Sequence, residues 1–144
     1  MKTYAVSALV LVALVIPASS PAQRQPYTGL IRVFAITQRE VVDGRMRLVV
    51  KKVRTVRYPR LGEIGQVCTR LPQVDPSAPA RQSCVGTLVM PLGRIAYQGV
   101  RYRASYYVLA VTGGTGVYAG CAGTLAARTI STGPRVEWLL ISLV

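Results

Sequence analysis

The chain contains no histidine and no asparagine, and only five acidic side chains against eighteen lysines and arginines. Without histidine, Ser-His and Cys-His nucleophile pairs and histidine-based zinc sites are excluded. The five acids are Glu40, Asp43, Glu63, Asp75 and Glu137, and nothing in their spacing sets two carboxylates across one substrate as a glycosidase requires. No metal and no cofactor is expected. Aromatic residues other than tyrosine are nearly absent, with one Phe and one Trp against eight Tyr. Helical signals are scarce too: no segment combines a 3.6-residue apolar stripe with capping residues.

What is present begins with a leader-like segment. Lys2, the apolar run Ala5 to Ile16 and the small-residue tail Pro17 to Ala22 match a secretory signal with cleavage after Ala22. The apolar run is shorter than the roughly twenty residues needed to span a bilayer core. The expectation is therefore residues 1–22 as a signal peptide, residues 23–144 as one domain, and a secreted, extracellular protein. Loss of Lys2 leaves a net charge of about +12, which attracts anionic cell-envelope polymers. The densest basic run, Lys51 to Arg60, divides between two strand faces and carries no nucleic-acid signature, so it reads as a solvated surface.

Three cysteines in an exported chain invite one bridge and leave one thiol over. Cys68 and Cys84 flank a Pro-rich stretch; paired, they staple the base of that loop, and unpaired they are two small buried apolar residues. Cys121 is then the free thiol, filling a tight turn.

Eight strand-like stretches follow one another: Leu30 to Glu40, Arg45 to Tyr58, Glu63 to Leu71, Ser83 to Met90, Arg94 to Gly99, Arg101 to Val111, Gly123 to Ile130 and Arg135 to Val144. Such even spacing points to an all-β sandwich or closed barrel, and closure removes exposed edges. The last strand is apolar on both parities, with Val136, Trp138 and Leu140 on one and Leu139, Ile141 and Leu143 on the other. A small barrel with such a strand needs outside cover, so a subunit interface is expected there.

AVTGGTGVYAGCAG, residues 110–123, holds five of the thirteen glycines. A phosphate-binding reading needs a helix after the run and finds only GTLAARTI and a Gly-Pro turn. Positive φ angles and close backbone packing explain the glycines better. With its flanks, LAVTGGTGVYAGCAGTLAART resembles the signature hairpin of the allene oxide cyclase and dirigent barrels, in which an apolar strand runs into Gly113-Gly114-Thr115-Gly116, an aromatic residue and a glycine opening the next strand. GQVCTRL and SCVGTLVMPLGRIAYQGV are similar to the paired cysteine-bearing strands of secreted bacterial members. The resemblance implies an eight-stranded antiparallel barrel, commonly a trimer, with an apolar interior that holds small molecules. The chain departs from the plant patterns: Ala122 stands where dirigent proteins carry an arginine, and the asparagine of allene oxide cyclases has no counterpart. The fold carries over and the reaction does not.

Site expectations rest on strand parity. If Arg101 to Val111 is one strand, Tyr102 and Tyr106 share a face opposite Arg101, Arg103 and Tyr107; the cost of burying unpaired arginines assigns the tyrosines to the interior. Tyr102, Tyr106 and Tyr118 are thus the expected ligand-binding residues, and an open cavity would have its mouth near Gly113 to Tyr118. Glu63 is the candidate catalytic acid if it points into a barrel mouth, and otherwise a solvated acid beside arginines. The functional expectation is a barrel that binds a small apolar molecule and guides its cyclisation or coupling by orientation and water exclusion. The rival is a non-catalytic basic protein that binds envelope or host polyanions.

Overall fold

The computed structural model describes residues 25–102 and 104–144; the expected signal peptide, residues 1–22, lies outside them. Eight strands run in chain order: β1 (Gly29–Asp43), β2 (Met46–Arg54), β3 (Gly62–Arg70), β4 (Arg81–Met90), β5 (Gly93–Tyr102), β6 (Tyr106–Gly114), β7 (Gly123–Thr132) and β8 (Arg135–Leu143). Each pairs antiparallel with its neighbour, and β8 closes on β1 to give a barrel with no open edge. This is the all-β, eight-stranded antiparallel barrel expected.

Alternation selects what fills it. On β8, Glu137, Leu139, Ile141 and Leu143 are buried while Val136, Trp138 and Leu140 are half-buried on the outer face. Val33 and Ala35 of β1, Ile64 of β3, Leu88 of β4, Ile95 of β5, Leu109 of β6 and Leu125 of β7 add to the inner wall. An eight-stranded barrel is just wide enough for side chains to fill. Gly86 is one consequence: a Cβ there would overlap the ring of Tyr97, which crosses the interior from the adjacent strand.

Cys68 and Cys84 stand directly opposite one another on β3 and β4, with Cα atoms 4.1 Å apart, and are bridged inside the barrel. The bridge closes the base of the Pro-rich loop, as expected. Cys121 is free and buried.

Two details differ from the sequence expectation. The basic strand ends at Arg54, and Lys51 faces inward with 3% of its surface exposed, whereas Lys52, Arg54, Arg57 and Arg60 are exposed. The stretch Arg101 to Val111 is two strands, because β5 ends at Tyr102 and β6 begins at Tyr106. The turn between them carries none of the usual Gly, Pro, Asn or Asp markers, so its position is hidden in the sequence.

Candidate functional site

The two ends of the barrel differ in chemistry. At one end the glycine-rich segment forms a lid of three 3-10 residues, Gly116–Tyr118, between β6 and β7. Gly116 has φ +65°, and a Cβ there would overlap the Leu92 carbonyl oxygen. Thr115 binds the lid to β5 twice: its N–H donates to the Arg94 carbonyl at 2.8 Å and its Oγ1 accepts the Arg94 N–H at 3.2 Å. Gly113 and Gly114 end β6. Tyr118 is buried edge-on against Tyr27, with ring centroids 5.4 Å apart. The motif therefore closes an apolar end, and Tyr118 packs into that closure. Burial raises the Cys121 thiol above its ordinary value, which leaves it protonated and unreactive.

The opposite end collects polar groups from five strands. Glu137 of β8 is fully buried. Its Oε2 accepts a hydrogen bond from Lys51 Nζ and one from the Tyr107 hydroxyl at 3.2 Å. Its Oε1 accepts from Arg135 Nη2 at 2.9 Å and Nε at 3.2 Å. Arg101, 6% exposed, donates through Nε and Nη2 to Gln82 Oε1, both at 3.3 Å, and its guanidinium lies 4.6 Å from the centre of the Tyr107 ring. Deeper in, the Tyr97 hydroxyl donates to Gln66 Oε1 at 3.3 Å.

These contacts set the protonation states. Burial pushes the Glu137 carboxyl up, but Lys51 and Arg135 together reverse this and hold it below the ordinary carboxylate range. Burial lowers Lys51, and its attraction to Glu137 offsets this only in part, with Arg101 and Arg135 adding to the lowering. Burial raises the Tyr97 and Tyr107 hydroxyls well above their usual value, helped by the Glu137 charge. Glu137 is consequently an ionised anchor and a poor base, while Tyr107 stays a hydroxyl donor. What the arrangement offers is fixed charge and hydrogen-bond donors in a low-dielectric wall, the means by which a site stabilises developing charge without reorganisation.

The expected site residues fall elsewhere. Tyr102 and Tyr106 are 53% and 57% exposed on the outer face, and the parity expectation is reversed: Arg101 and Tyr107 are the inward pair. Gln82 and the Tyr107 ring make Arg101 tolerable inside, partners that lie on other strands. Tyr106 instead borders an outer groove with Trp138, Leu140 and Arg128. Glu63 is exposed on the outward parity of β3, opposite Lys52, in a surface groove with Arg60 and Pro91; it is a solvated acid and does not enter the barrel. At the Gly113 to Tyr118 end the lid packs over the barrel, and Tyr118 lines a cavity there with Tyr27, Leu61, Met90 and Leu92. The buried acid that sequence reasoning passed over, Glu137, shares the parity of Leu139, Ile141 and Leu143, and that alternation was the signal available.

Eight antiparallel strands close on themselves, with a glycine-rich lid at one end and a polar constellation at the other. Solved structures agree on the fold. The chain is similar to a pyocyanin demethylase at 19% identity and a TM-score of 0.69, covering 81% of this chain and all of the other. It is also similar to a pterocarpan synthase dirigent protein at 12% identity and a TM-score of 0.66, covering 91% and 98%. A third likeness is to AbnU, an exo-specific intermolecular Diels-Alderase, at 16% identity and a TM-score of 0.67, covering 81% and 98%. No protein-family model matches the chain, and no curated protein matches it by sequence.

Proposed function

We propose that this is an exported barrel that binds a small molecule at its polar end and steers that molecule's cyclisation or coupling. The observation that carries the reading is the Glu137–Lys51–Arg135–Tyr107 network: four polar side chains from three strands, drawn together where an all-apolar core would cost less. Likeness to a dirigent protein and a Diels-Alderase supports a role in which the wall orients a reactive molecule. The apolar body of the ligand lies against the inner wall and its polar atoms meet the network. Neither metal nor organic cofactor enters this reading.

Native mass spectrometry of the protein recovered from its own source without organic solvent tests it. A discrete small-molecule mass on the folded protein is the expected result; the polypeptide mass alone in every charge state contradicts it.

The same reading includes a homo-oligomer, a trimer by analogy of fold, assembled through the outer face of β8. Its support is the half-buried Trp138 and Leu140 on that face, beside Phe34 of β1. The secreted location rests on the leader and fits the interior disulfide. A second reading, binding of anionic envelope polymers, is favoured by the net charge of +13 and by solvated bases such as Lys52 and Arg54. Elution from heparin at low salt counts against it.

A further inference from the structure

Charge at the polar end does not balance. Lys51, Arg101 and Arg135 face one carboxylate, Glu137, whose two oxygens already accept four hydrogen bonds. Arg101 is buried, yet among the described residues no carboxylate lies within salt-bridge distance of it. The other acids cannot serve: Glu40 is paired with Arg47, Glu63 points outward, and Asp43 and Asp75 lie at turns, Asp75 holding Ser77. A guanidinium cannot shed its proton to escape burial. Its only hydrogen-bond acceptor among the described side chains is the neutral Gln82 oxygen. An independent observation comes from β1, where Thr37 sits opposite Lys51 and its hydroxyl is buried without a hydrogen-bond partner.

We propose that the polar end is a carboxylate subsite, in which Arg101 pairs with the anionic group of the small molecule the barrel binds. The proposal rests on the small-molecule reading above and adds the chemical class of the ligand: an apolar body bearing a carboxylate. The planar fork of Arg101 suits two parallel hydrogen bonds to such a group. Seating a carboxylate there offsets one of the two excess positive charges in a wall that water reaches poorly. Lys51, already weakened as a cation by its surroundings, becomes more firmly protonated when the anion arrives. Arg135, partly exposed at 29% of its side chain, marks the approach from solvent.

Fluorine NMR titration with para-(trifluoromethyl)phenylacetate and with its neutral amide decides the matter. The acid is expected to bind at least about tenfold more tightly than the amide, the scale of a charge-assisted hydrogen-bonded pair. That preference persists at high salt, where attraction to the basic surface is screened. In Arg101→Gln the preference falls to about onefold with amide binding retained, and Arg101→Lys recovers part of it. Equal binding of acid and amide by the unaltered protein, or a preference abolished by salt, overturns the carboxylate subsite and leaves the small-molecule reading standing. Binding of neither probe overturns both. The comparison in the unaltered protein needs no variant, so it decides the question even where Arg101→Gln folds poorly.

Discussion

Lys51 and Glu137, 86 positions apart in the chain, meet inside the barrel as a buried ion pair, with Arg135 on the other carboxylate oxygen. β2 and β8 flank β1 on opposite sides, so the pair reaches across β1 and ties its two neighbours together. Removing the carboxylate leaves three buried or half-buried cations with no counter-charge. Glu137→Gln is expected to lose about 3–5 kcal/mol of stability, read from the urea midpoint at neutral pH. A loss below about 1 kcal/mol, the scale of a solvent-exposed pair, would place the pair in water.

The same network predicts the pH profile. Glu137 is depressed below 4.5 in the folded state, so its stabilisation is complete above that unfolded value and disappears as pH falls through the lower, folded one. Lys51 is depressed below 10.5. Between its folded value and 10.5 the unfolded chain binds the proton more tightly, so stability gains from this group as pH rises across that interval. Urea midpoints measured from acid to alkaline pH should show both limbs, and the acid limb should flatten in Glu137→Gln.

The disulfide should be resistant and specific. Non-reducing peptide mapping is expected to link Cys68 to Cys84, with Cys121 alkylated only after unfolding, since it is buried in the native barrel. Replacing both bridged cysteines by alanine should cost about 3 kcal/mol, the chain-entropy value for a loop of this length. Any bridge involving Cys121 contradicts the strand pairing.

Trp138→Asp tests the outer face of β8. Under the proposed assembly, sedimentation velocity should show an oligomer for the unaltered protein and monomers for the variant, while circular dichroism keeps the β signal, because Trp138 points away from the core. An unchanged oligomer removes this face from the interface.

The Gly113-Gly114-Thr115-Gly116 motif revealed its structural role in the sequence because local backbone demands dictate it: a positive φ at Gly116 and close approach to Leu92 admit only glycine. Most strands were legible from their turn residues, and the Cys68–Cys84 pairing from the two cysteines' positions on either side of the Pro-rich loop, while the β5–β6 boundary was not. The site was not. Whether Arg101 or Tyr102 faces inward depends on a connection between β5 and β6 that carries no Gly, Pro, Asn or Asp, and on partners, Gln82 and Tyr107, that the closed barrel brings from separate strands. Lys51 looked like one more base in a basic run because its partner lies 86 residues away. Burial of a charge is a tertiary property, and alternation alone could only have hinted at Glu137.

Which end of the barrel receives the ligand is the central claim, and NMR of the assigned protein titrated with para-(trifluoromethyl)phenylacetate tests it most directly. The account predicts shifts at the Arg101 Nε–H and at the amides of Gln82, Tyr107 and Glu137, with the lid from Gly113 to Tyr118 unmoved. Shifts confined to the lid, or to the outer groove beside Glu63, would contradict it.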